Sequence, residues 1–275
     1  MIWLSGIVAA ALWLLWFSHR YAWWRPAVDW RRPRILMYHM VQEHRAGARF
    51  NGLRVTPARF EAQVRWLREQ GFTFMTMSEL WSRRGNLPER TVAITFDDGY
   101  ADNLHHALPI LTRYDACATV YVVVDRHDRD WSTYKKAHHN SGELAREPKL
   151  SDDELRALVS SGRVEIGSHT LTHCNLARTP AADKQVELIE SRRLLAELTG
   201  TPVNSFAYPF GIYGPEDVQL AREVGYETAV TTVEGVDVFD PPPDPLDLKR
   251  VKISGKDNML AFVMRLRGGK RGWKK

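Results

Sequence analysis

The chain has 275 residues, of which 44% are hydrophobic and 26% charged, a composition typical of a globular protein long enough for one large domain. Its net charge of +5 is concentrated near the two ends without a recognisable motif for reading DNA or RNA, so we expect no nucleic-acid partner. The two cysteines, Cys117 and Cys174, are far too few for a disulfide framework, and we expect both to be free thiols.

The N-terminal segment is strongly apolar. Residues 2–17 carry no charge, and as a helix they would extend about 24 Å, slightly less than the ~30 Å hydrocarbon core of a bilayer. Aromatic side chains that favour the headgroup layer lengthen it: Trp13, Trp16, Tyr21, Trp23 and Trp24. The sequence around the segment lacks the basic start and the small-residue cleavage site of a cleaved signal peptide. We therefore predict that residues 1–30 form a membrane anchor and a juxtamembrane segment that binds lipid.

The side of the membrane on which the rest of the chain lies stays open. Basic residues follow the apolar segment at Arg20, Arg25, Arg31, Arg32 and Arg34, and the positive-inside tendency would keep them in the cytoplasm. The chemistry inferred below is more familiar outside the cytoplasm. We therefore expect a protein anchored to the inner or plasma membrane without assigning its side, and the sequence gives no indication of its oligomeric state.

Within residues 31–275, apolar runs of strand length alternate with helix-like stretches, which is the pattern of parallel β/α units. The predicted strands are Ile35 to Tyr38, Val92 to Phe96, Ala118 to Val124, Val164 to Ser168, Val203 to Tyr208, Glu227 to Thr231 and Lys249 to Ile253. This number is one unit short of the eight-stranded barrel. We therefore predict an α/β domain built as an incomplete (β/α)7 TIM-like barrel.

Two helix starts are indicated by capping residues. Thr56 precedes Pro57, a residue favoured in the first helical turn, and the helix is expected to end near Gln70. Ser151 is followed three residues later by Glu154, as a capping box requires. Both sequences predict helices on the outside of the barrel.

Residues 126–149 depart from the alternating pattern. They are polar, lack periodicity and contain His127, His138 and His139. A connection of this length is either a solvated loop or a functional lid, and the sequence leaves both interpretations open.

Acidic residues follow the second predicted strand in the run Thr-Phe-Asp-Asp-Gly at 95–99. Adjacent strand residues point to opposite faces, so Asp97 and Asp98 can share one site only where the chain is already turning, and Gly99 permits that turn. Active sites of barrel enzymes lie at the carboxyl ends of the strands. Asp97 and Asp98 are therefore candidate functional residues.

Two histidines follow the fourth predicted strand in the run Ser-His-Thr-Leu-Thr-His at 168–173. If a helix begins near His169, then His169 and His173 lie on one face at i and i+4, close enough for both imidazoles to bind one ion. Two histidines with one carboxylate form a familiar catalytic zinc set that leaves a position for water. Each motif alone is modest evidence, but both at strand ends favour a metal site.

The two runs, in this order, resemble the two signature motifs of the polysaccharide deacetylase family, also called NodB-homology proteins or family 4 carbohydrate esterases. The early run Ile-Leu-Met-Tyr-His at 35–39 and the run Phe-Ala-Tyr-Pro-Phe-Gly at 206–211 are similar to the branch that deacetylates biofilm poly-N-acetylglucosamine. Most of the family has an arginine two residues before the motif proline, where this chain, like that branch, has Ala207. The group that orients the catalytic base is therefore not identified by sequence.

The resemblance implies a metal-dependent carbohydrate de-N-acetylase. Asp98, His169 and His173 would hold Zn²⁺, with Co²⁺ or Ni²⁺ as alternatives. The implied catalytic residues are Asp97 as general base, His39 as the acid that protonates the departing amine, and Phe210, whose backbone N–H would stabilise the oxyanion.

The implied substrate is an N-acetylglucosamine-containing polysaccharide or oligosaccharide. Deacylation of a lipid-linked sugar at the membrane face is an alternative that suits the basic residues beside the apolar segment. A non-catalytic glycan-binding relative is a second alternative, although a protein that only binds needs neither an acid nor a base.

Overall fold

The computed structural model describes residues 2–135 and 141–270. The strands are β1 Arg34–Tyr38, β2 Met40–Val41, β3 Arg54–Val55, β4 Thr73–Phe74, β5 Thr91–Phe96, β6 Ala118–Val122, β7 Val164–Ser168, β8 Ser205–Ala207, β9 Thr228–Glu234 and β10 Leu248–Lys252. The helices are α1 Ile2–Tyr21, α2 Pro57–Glu69, α3 Met77–Ser82, α4 Leu108–Arg113, α5 Ser132–Lys135, α6 Asp152–Ser160, α7 Ala181–Thr199, α8 Pro215–Val224 and α9 Met259–Gly268. One turn of π-helix, Asn103–Ala107, precedes α4.

Parallel strands close into a barrel in the order β1-β10-β9-β8-β7-β6-β5, because β1 pairs with both β10 and β5. Each strand of this ring corresponds to one of the strands predicted from sequence, and the predicted parallel barrel is confirmed. Outside the ring, β4 pairs with the start of β5, while β2 and β3 form a separate two-stranded sheet. These two-residue strands were not predicted, since they are too short to produce a hydrophobic period.

Strands β1, β5 and β6 are buried on both faces, which explains why they read as mainly apolar runs. Along β1 and β5, Ile35 and Ala93 belong to one apolar cluster inside the barrel, and Leu36 and Ile94 belong to a second cluster packed beneath the outer helices. All six residues of β5 are buried. The period-2 alternation of side chains therefore separates two apolar layers rather than an apolar and a polar face.

Both predicted helix starts are confirmed. The Thr56 side chain accepts a hydrogen bond from the Arg59 backbone N–H at the start of α2, which ends at Glu69. Ser151 and Glu154 form the predicted reciprocal capping box at the start of α6. Each cap satisfies backbone N–H groups that have no partner within the helix.

The N-terminal residues form α1, whose end contacts the barrel. The Asn258 side-chain amide donates to the Tyr21 hydroxyl at 3.1 Å, and the Val28 backbone N–H donates to the Arg267 carbonyl at 2.8 Å. Among residues 2–135 and 141–270, no helix combines the length and the apolar character that crossing a bilayer requires. The predicted anchor at residues 1–30 therefore has no support from the structure, and the domain division at residue 31 stays a prediction.

The long insertion at residues 126–149 is partly buried against the rest of the domain. Trp131 and Leu144 are only 2% and 4% exposed, so the interpretation as a solvated loop is wrong for this part of the insertion. His138 and His139 lie outside the described residues. The described flanks of the insertion belong to the wall of the site described next.

Candidate active site

The carboxyl ends of the barrel strands surround an open cleft of about 420 Å³. Asp97 and Asp98 follow β5, His169 follows β7, and His39 follows β1. Phe210 lies in the turn after β8. Together with His173, all of these predicted site residues line the one cleft.

Asp98, His169 and His173 converge on a common point. Their ligand atoms form a triangle: His169 Nε2 is 3.5 Å and His173 Nε2 is 3.3 Å from Asp98 Oδ1, and the two Nε2 atoms are 3.2 Å apart. Tetrahedral ligands at about 2.0 to 2.1 Å from an ion lie roughly 3.3 to 3.4 Å from one another. The spacing therefore fits one bound metal ion, and all three side chains are almost fully buried.

The ring orientation of His169 suits a metal ligand. Its Nδ1 lies 2.7 Å from the Ala207 carbonyl oxygen, which can only accept, so Nδ1 carries the proton and Nε2 presents a lone pair to the centre. Burial lowers the pKa of His173 to about 4, which leaves its imidazole neutral. Burial raises the pKa of Asp98, but the adjacent imidazoles of His169 and His173 more than offset this and hold it well below its usual range. The anionic Asp98 carboxylate and the neutral His173 imidazole are the forms that bind metal.

The backbone between the two histidines is a loop, so the helix expected near His169 is wrong. Thr170 and His173 have φ of 68° and 57°, in the left-handed region that non-glycine residues rarely adopt. Glu187 of α7 holds the loop by accepting hydrogen bonds from the Thr172 backbone N–H at 2.9 Å and hydroxyl at 2.6 Å. This turn, rather than an i, i+4 helical face, brings the imidazoles together.

The same strained conformation occurs at other site residues. Asp98 has φ 77° and Phe210 has φ 59°, and Gly99 completes the predicted turn with φ 68°. A left-handed non-glycine residue costs on the order of 1–3 kcal/mol and persists only where its surroundings enforce it. Four of the eight described non-glycine residues with positive φ therefore lie at or beside the cleft, which supports a functional role for their orientation.

The Asp97 carboxylate is held by a residue that the sequence analysis missed. Arg250 of β10 is fully buried and binds Asp97 through two nearly parallel hydrogen bonds, Nη1 to Oδ1 at 2.7 Å and Nη2 to Oδ2 at 2.8 Å. Burial raises the pKa of Asp97, but the Arg250 charge and hydrogen bonds more than offset this, so the net shift is downward. Arg250 therefore orients Asp97 and keeps it ionised, although it stands on a different strand from Ala207.

His39 faces Asp97 across the cleft, with Nε2 3.9 Å from Asp97 Oδ2. Its side chain is 17% exposed, more than that of Asp97 at 4%, so it is open to a bound molecule. Burial lowers the pKa of His39, against the opposing pull of the Asp98 and Asp97 carboxylates. The first and second barrel strands thus present an imidazole and a carboxylate to the same space.

Aromatic rings pack on the ligand His173. The Trp131 ring centroid lies 4.7 Å away and the Phe210 ring 4.4 Å away in an edge-on arrangement. Phe210 therefore forms part of the apolar wall through its side chain. Its backbone lies in the tight turn of Pro209–Gly211 at the edge of the cleft.

Comparison with known proteins identifies the family. The model of the polysaccharide deacetylase family matches residues 84–229, which is more than half of the chain. The chain belongs to the polysaccharide deacetylase family. The resemblance stated from the motifs is therefore confirmed.

Relatives of this polysaccharide deacetylase agree with that assignment. The protein YxkH of Bacillus subtilis (strain 168), which is named for the family, is 30% identical over 231 residues, or 83% of this chain and 74% of that protein. A poly-β-1,6-N-acetyl-D-glucosamine N-deacetylase of Staphylococcus aureus (strain MRSA252) is 24% identical over 181 residues, or 62% of this chain and 58% of that enzyme. The crystal structure of BC0361, a polysaccharide deacetylase from Bacillus cereus, has a TM-score of 0.72 at 30% identity, covering 86% of this chain and 69% of that one.

Two residues that lie next to Asp97 are outside the range that the family model matches. His39 precedes residue 84 and Arg250 follows residue 229, yet both contact Asp97. His39 was found from sequence through the resemblance of the run at 35–39 to the biofilm poly-N-acetylglucosamine branch of the family. Arg250 could have been noticed as a charged residue inside a predicted barrel strand, since a buried arginine needs a partner.

Proposed function

We propose that this polysaccharide deacetylase is a metal-dependent hydrolase that removes N-acetyl groups from N-acetylglucosamine-containing polysaccharide or oligosaccharide. The observation that carries the proposal is the buried Asp98, His169 and His173 triangle, with edges of 3.2 to 3.5 Å, beside an ionised Asp97 in an open cleft. The staphylococcal relative, named as a poly-N-acetylglucosamine N-deacetylase, supports this choice of substrate class.

The proposed metal ligands are Asp98, His169 and His173, and the proposed ion is Zn²⁺, with Co²⁺ or Ni²⁺ as alternatives. When bound, the ion would supply Lewis acidity toward the acetamide carbonyl and the attacking water. His169 would bind through Nε2, because its Nδ1–H donates to the Ala207 carbonyl. The donor set of two imidazoles and one carboxylate suits zinc in a catalytic site.

Asp97 is the proposed general base. Its two oxygens accept hydrogen bonds from Arg250, which fixes the carboxylate plane and leaves other lone pairs available to take the proton of the attacking water. His39 is the proposed general acid, which would donate its proton to the amine nitrogen as the C–N bond breaks. The 3.9 Å between His39 Nε2 and Asp97 Oδ2 suits two groups that act on adjacent atoms of one amide.

The Phe210 backbone N–H is the proposed donor to the developing oxyanion. A preorganised donor of this kind typically contributes about 10² to 10³ in rate. Support comes from the left-handed conformation of Phe210 at the cleft edge, since a strained turn can aim a backbone N–H where a regular strand cannot.

This function predicts chelator-sensitive release of acetate. Incubation with N-acetylglucosamine oligomers should yield free acetate and primary amines in equal amounts. Dialysis against a chelator should remove the activity, and added Zn²⁺ should restore it, because the metal triad of Asp98, His169 and His173 is the proposed ion site. Mass spectrometry of the oligomer, which loses one acetyl mass per turnover, provides the measurement. Full activity in metal-free enzyme would contradict the metal role, and an unchanged oligomer would contradict the proposed substrate.

We further propose that the protein associates with a lipid surface through α1, which keeps a lipid-linked sugar as an alternative substrate. The supporting observation is exposure: Leu12, Trp13, Leu15 and Trp16 each expose more than half of their surface, with values from 56% to 67%. Apolar and aromatic side chains displayed in this way favour the interface of a bilayer. The side of the membrane is left open.

Association with lipid predicts co-sedimentation with vesicles of phosphatidylcholine and phosphatidylglycerol. The double variant Leu12→Ser with Leu15→Ser should reduce the bound fraction several-fold, because each substitution removes apolar surface that the bilayer would bury. The matched control is Ile189→Ser on α7, an exposed apolar residue at 46% that should leave binding unchanged. Equal binding of all three proteins would exclude α1 as the lipid-binding element.

A further inference from the structure

The apolar lining of the cleft comes from two segments that are distant in sequence. Phe50 and Leu53 lie in the connection between β2 and β3, and Trp131 and Leu144 lie in the insertion. All four belong to or pack against one small apolar cluster beside the metal triad. Part of the cleft wall is therefore formed by two segments whose relative placement the barrel does not itself determine.

A buried ion cluster joins these two segments. Arg54 directly follows Leu53 and has a fully buried side chain. Its Nη1 lies 2.7 Å from Glu143 Oε1, and its Nη2 lies 2.6 Å from Glu147 Oε1. Glu143 directly precedes Leu144. The guanidinium thus connects the backbone that carries Leu53 to the backbone that carries Leu144.

The glutamates also bind the opposite segment directly. Glu143 accepts hydrogen bonds from the backbone N–H groups of Arg49 at 2.9 Å and Phe50 at 3.2 Å. Glu147 accepts one from the Gln42 side-chain amide at 2.8 Å. The position of Phe50 relative to Leu144 is therefore set by charge-assisted hydrogen bonds, which are shorter and stronger than neutral ones.

Stability alone is a poor explanation for this cluster. Burying charges requires removing them from water, and apolar residues of similar volume often stabilise a fold equally well or better. The Arg54 Nε atom is buried without a hydrogen-bond partner among the described residues, so the cluster is not optimised even as a set of hydrogen bonds. What the rigid planar fork of arginine does provide is a fixed geometry between two carboxylates.

We propose that Arg54 is a positioning residue that sets the cleft lining for a glycan chain, and so determines how well oligomers bind rather than how fast the amide is cleaved. The inference rests on the proposed function. A displaced lining would weaken contacts to sugars on either side of the reacting unit. Asp97, Asp98, His169 and His39 directly follow barrel strands and would keep their placement. Glu187 of α7 holds the loop that precedes His173 and would keep that ligand in place.

The test compares a long and a short substrate. Arg54→Met should raise KM for an N-acetylglucosamine pentamer by about 10-fold or more, since each tenfold corresponds to about 1.4 kcal/mol of lost contacts with the sugar chain. The kcat/KM for 4-nitrophenyl acetate, which reaches only the reacting centre, and the metal content should change less than about 2-fold. Arg54→Lys should show an intermediate KM, because a single ammonium cannot hold both carboxylates in one plane. The matched control is Arg113→Met, which removes an exposed ion pair with Glu61.

An unchanged pentamer KM, or equal losses on both substrates, would overturn the positioning role while leaving the proposed function intact. A wild-type enzyme that fails to deacetylate the pentamer would overturn the proposed function itself, and this inference with it. If Arg54→Met does not fold, the triple variant Arg54→Met, Glu143→Gln and Glu147→Gln removes the buried charges together and carries the same comparison.

Discussion

Asp98→Asn should lose its metal and at least about 10³ in kcat/KM for N-acetylated oligomers. The substitution keeps the shape of the side chain but removes the negative charge from a site with two neutral imidazoles, so a divalent cation loses its only anionic ligand within this group. Metal ions contribute several kcal/mol to transition-state stabilisation in such sites, and each 1.36 kcal/mol is tenfold in rate, which gives the expected size of the loss.

The measurement is metal content per chain by elemental analysis beside acetate release. Asp125→Asn is the matched control, because this carboxylate lies beyond the neighbouring strand β6, pairs with Arg129 and is largely exposed at 46%. It should retain metal and activity. An Asp98→Asn enzyme that binds metal stoichiometrically and deacetylates at the wild-type rate would remove Asp98 from the proposed site.

The barrel could be predicted from sequence because its strands are buried on both faces. A strand such as β5, in which every residue is buried, has a mainly apolar sequence that can be recognised without knowing which strands lie beside it. The ends of such runs then mark the catalytic edge, which is how Asp97 and His169 were found, whereas His39 came from the resemblance to the biofilm branch of the family. The closure of the ring by β1 and β10 followed from the strand count rather than from any local signal.

Contacts that depend on closure could not be predicted. Arg250 contacts Asp97 only because barrel closure pairs β10 with β1, and β1 pairs with β5. The two residues are 153 positions apart in the sequence. The turn at 169–173 was also beyond prediction, because Thr170 and His173 are in a conformation that their side chains disfavour. Glu187 on the later helix α7 holds this turn in place. In both cases the residue can be seen in the sequence, but the residue that it contacts cannot be identified from the local sequence.

The insertion illustrates the limit of reading polarity. Its charged residues are compatible with a solvated loop, one of the two interpretations that the sequence left open, yet Glu147 is 2% and Lys149 is 7% exposed. Glu147 is buried against Arg54, and the Lys149 ammonium lies 4.9 Å from the Trp131 ring while donating to the Leu144 carbonyl at 2.7 Å. Polar side chains can line a core when each finds a partner, and partners from a distant segment leave no trace in local composition.

His39→Ala should retain its fold and its metal but lose about 10² to 10⁴ in the rate of N-deacetylation, the usual contribution of a general acid. An amine is a poor leaving group unless it is protonated, and His39 is the imidazole placed 3.9 Å from Asp97 with access to the cleft. The phenolate of an activated acetyl ester departs without being protonated, so hydrolysis of such an ester should fall much less. The loss should appear in kcat, in contrast to the KM effect expected for Arg54.

Parallel assays of acetate release from an N-acetylglucosamine oligomer and from 4-nitrophenyl acetate give the comparison. The control is His105→Ala, which replaces an exposed histidine paired with Glu154. Equal losses on both substrates would assign His39 a positioning role, and undiminished N-deacetylation would remove it from the mechanism.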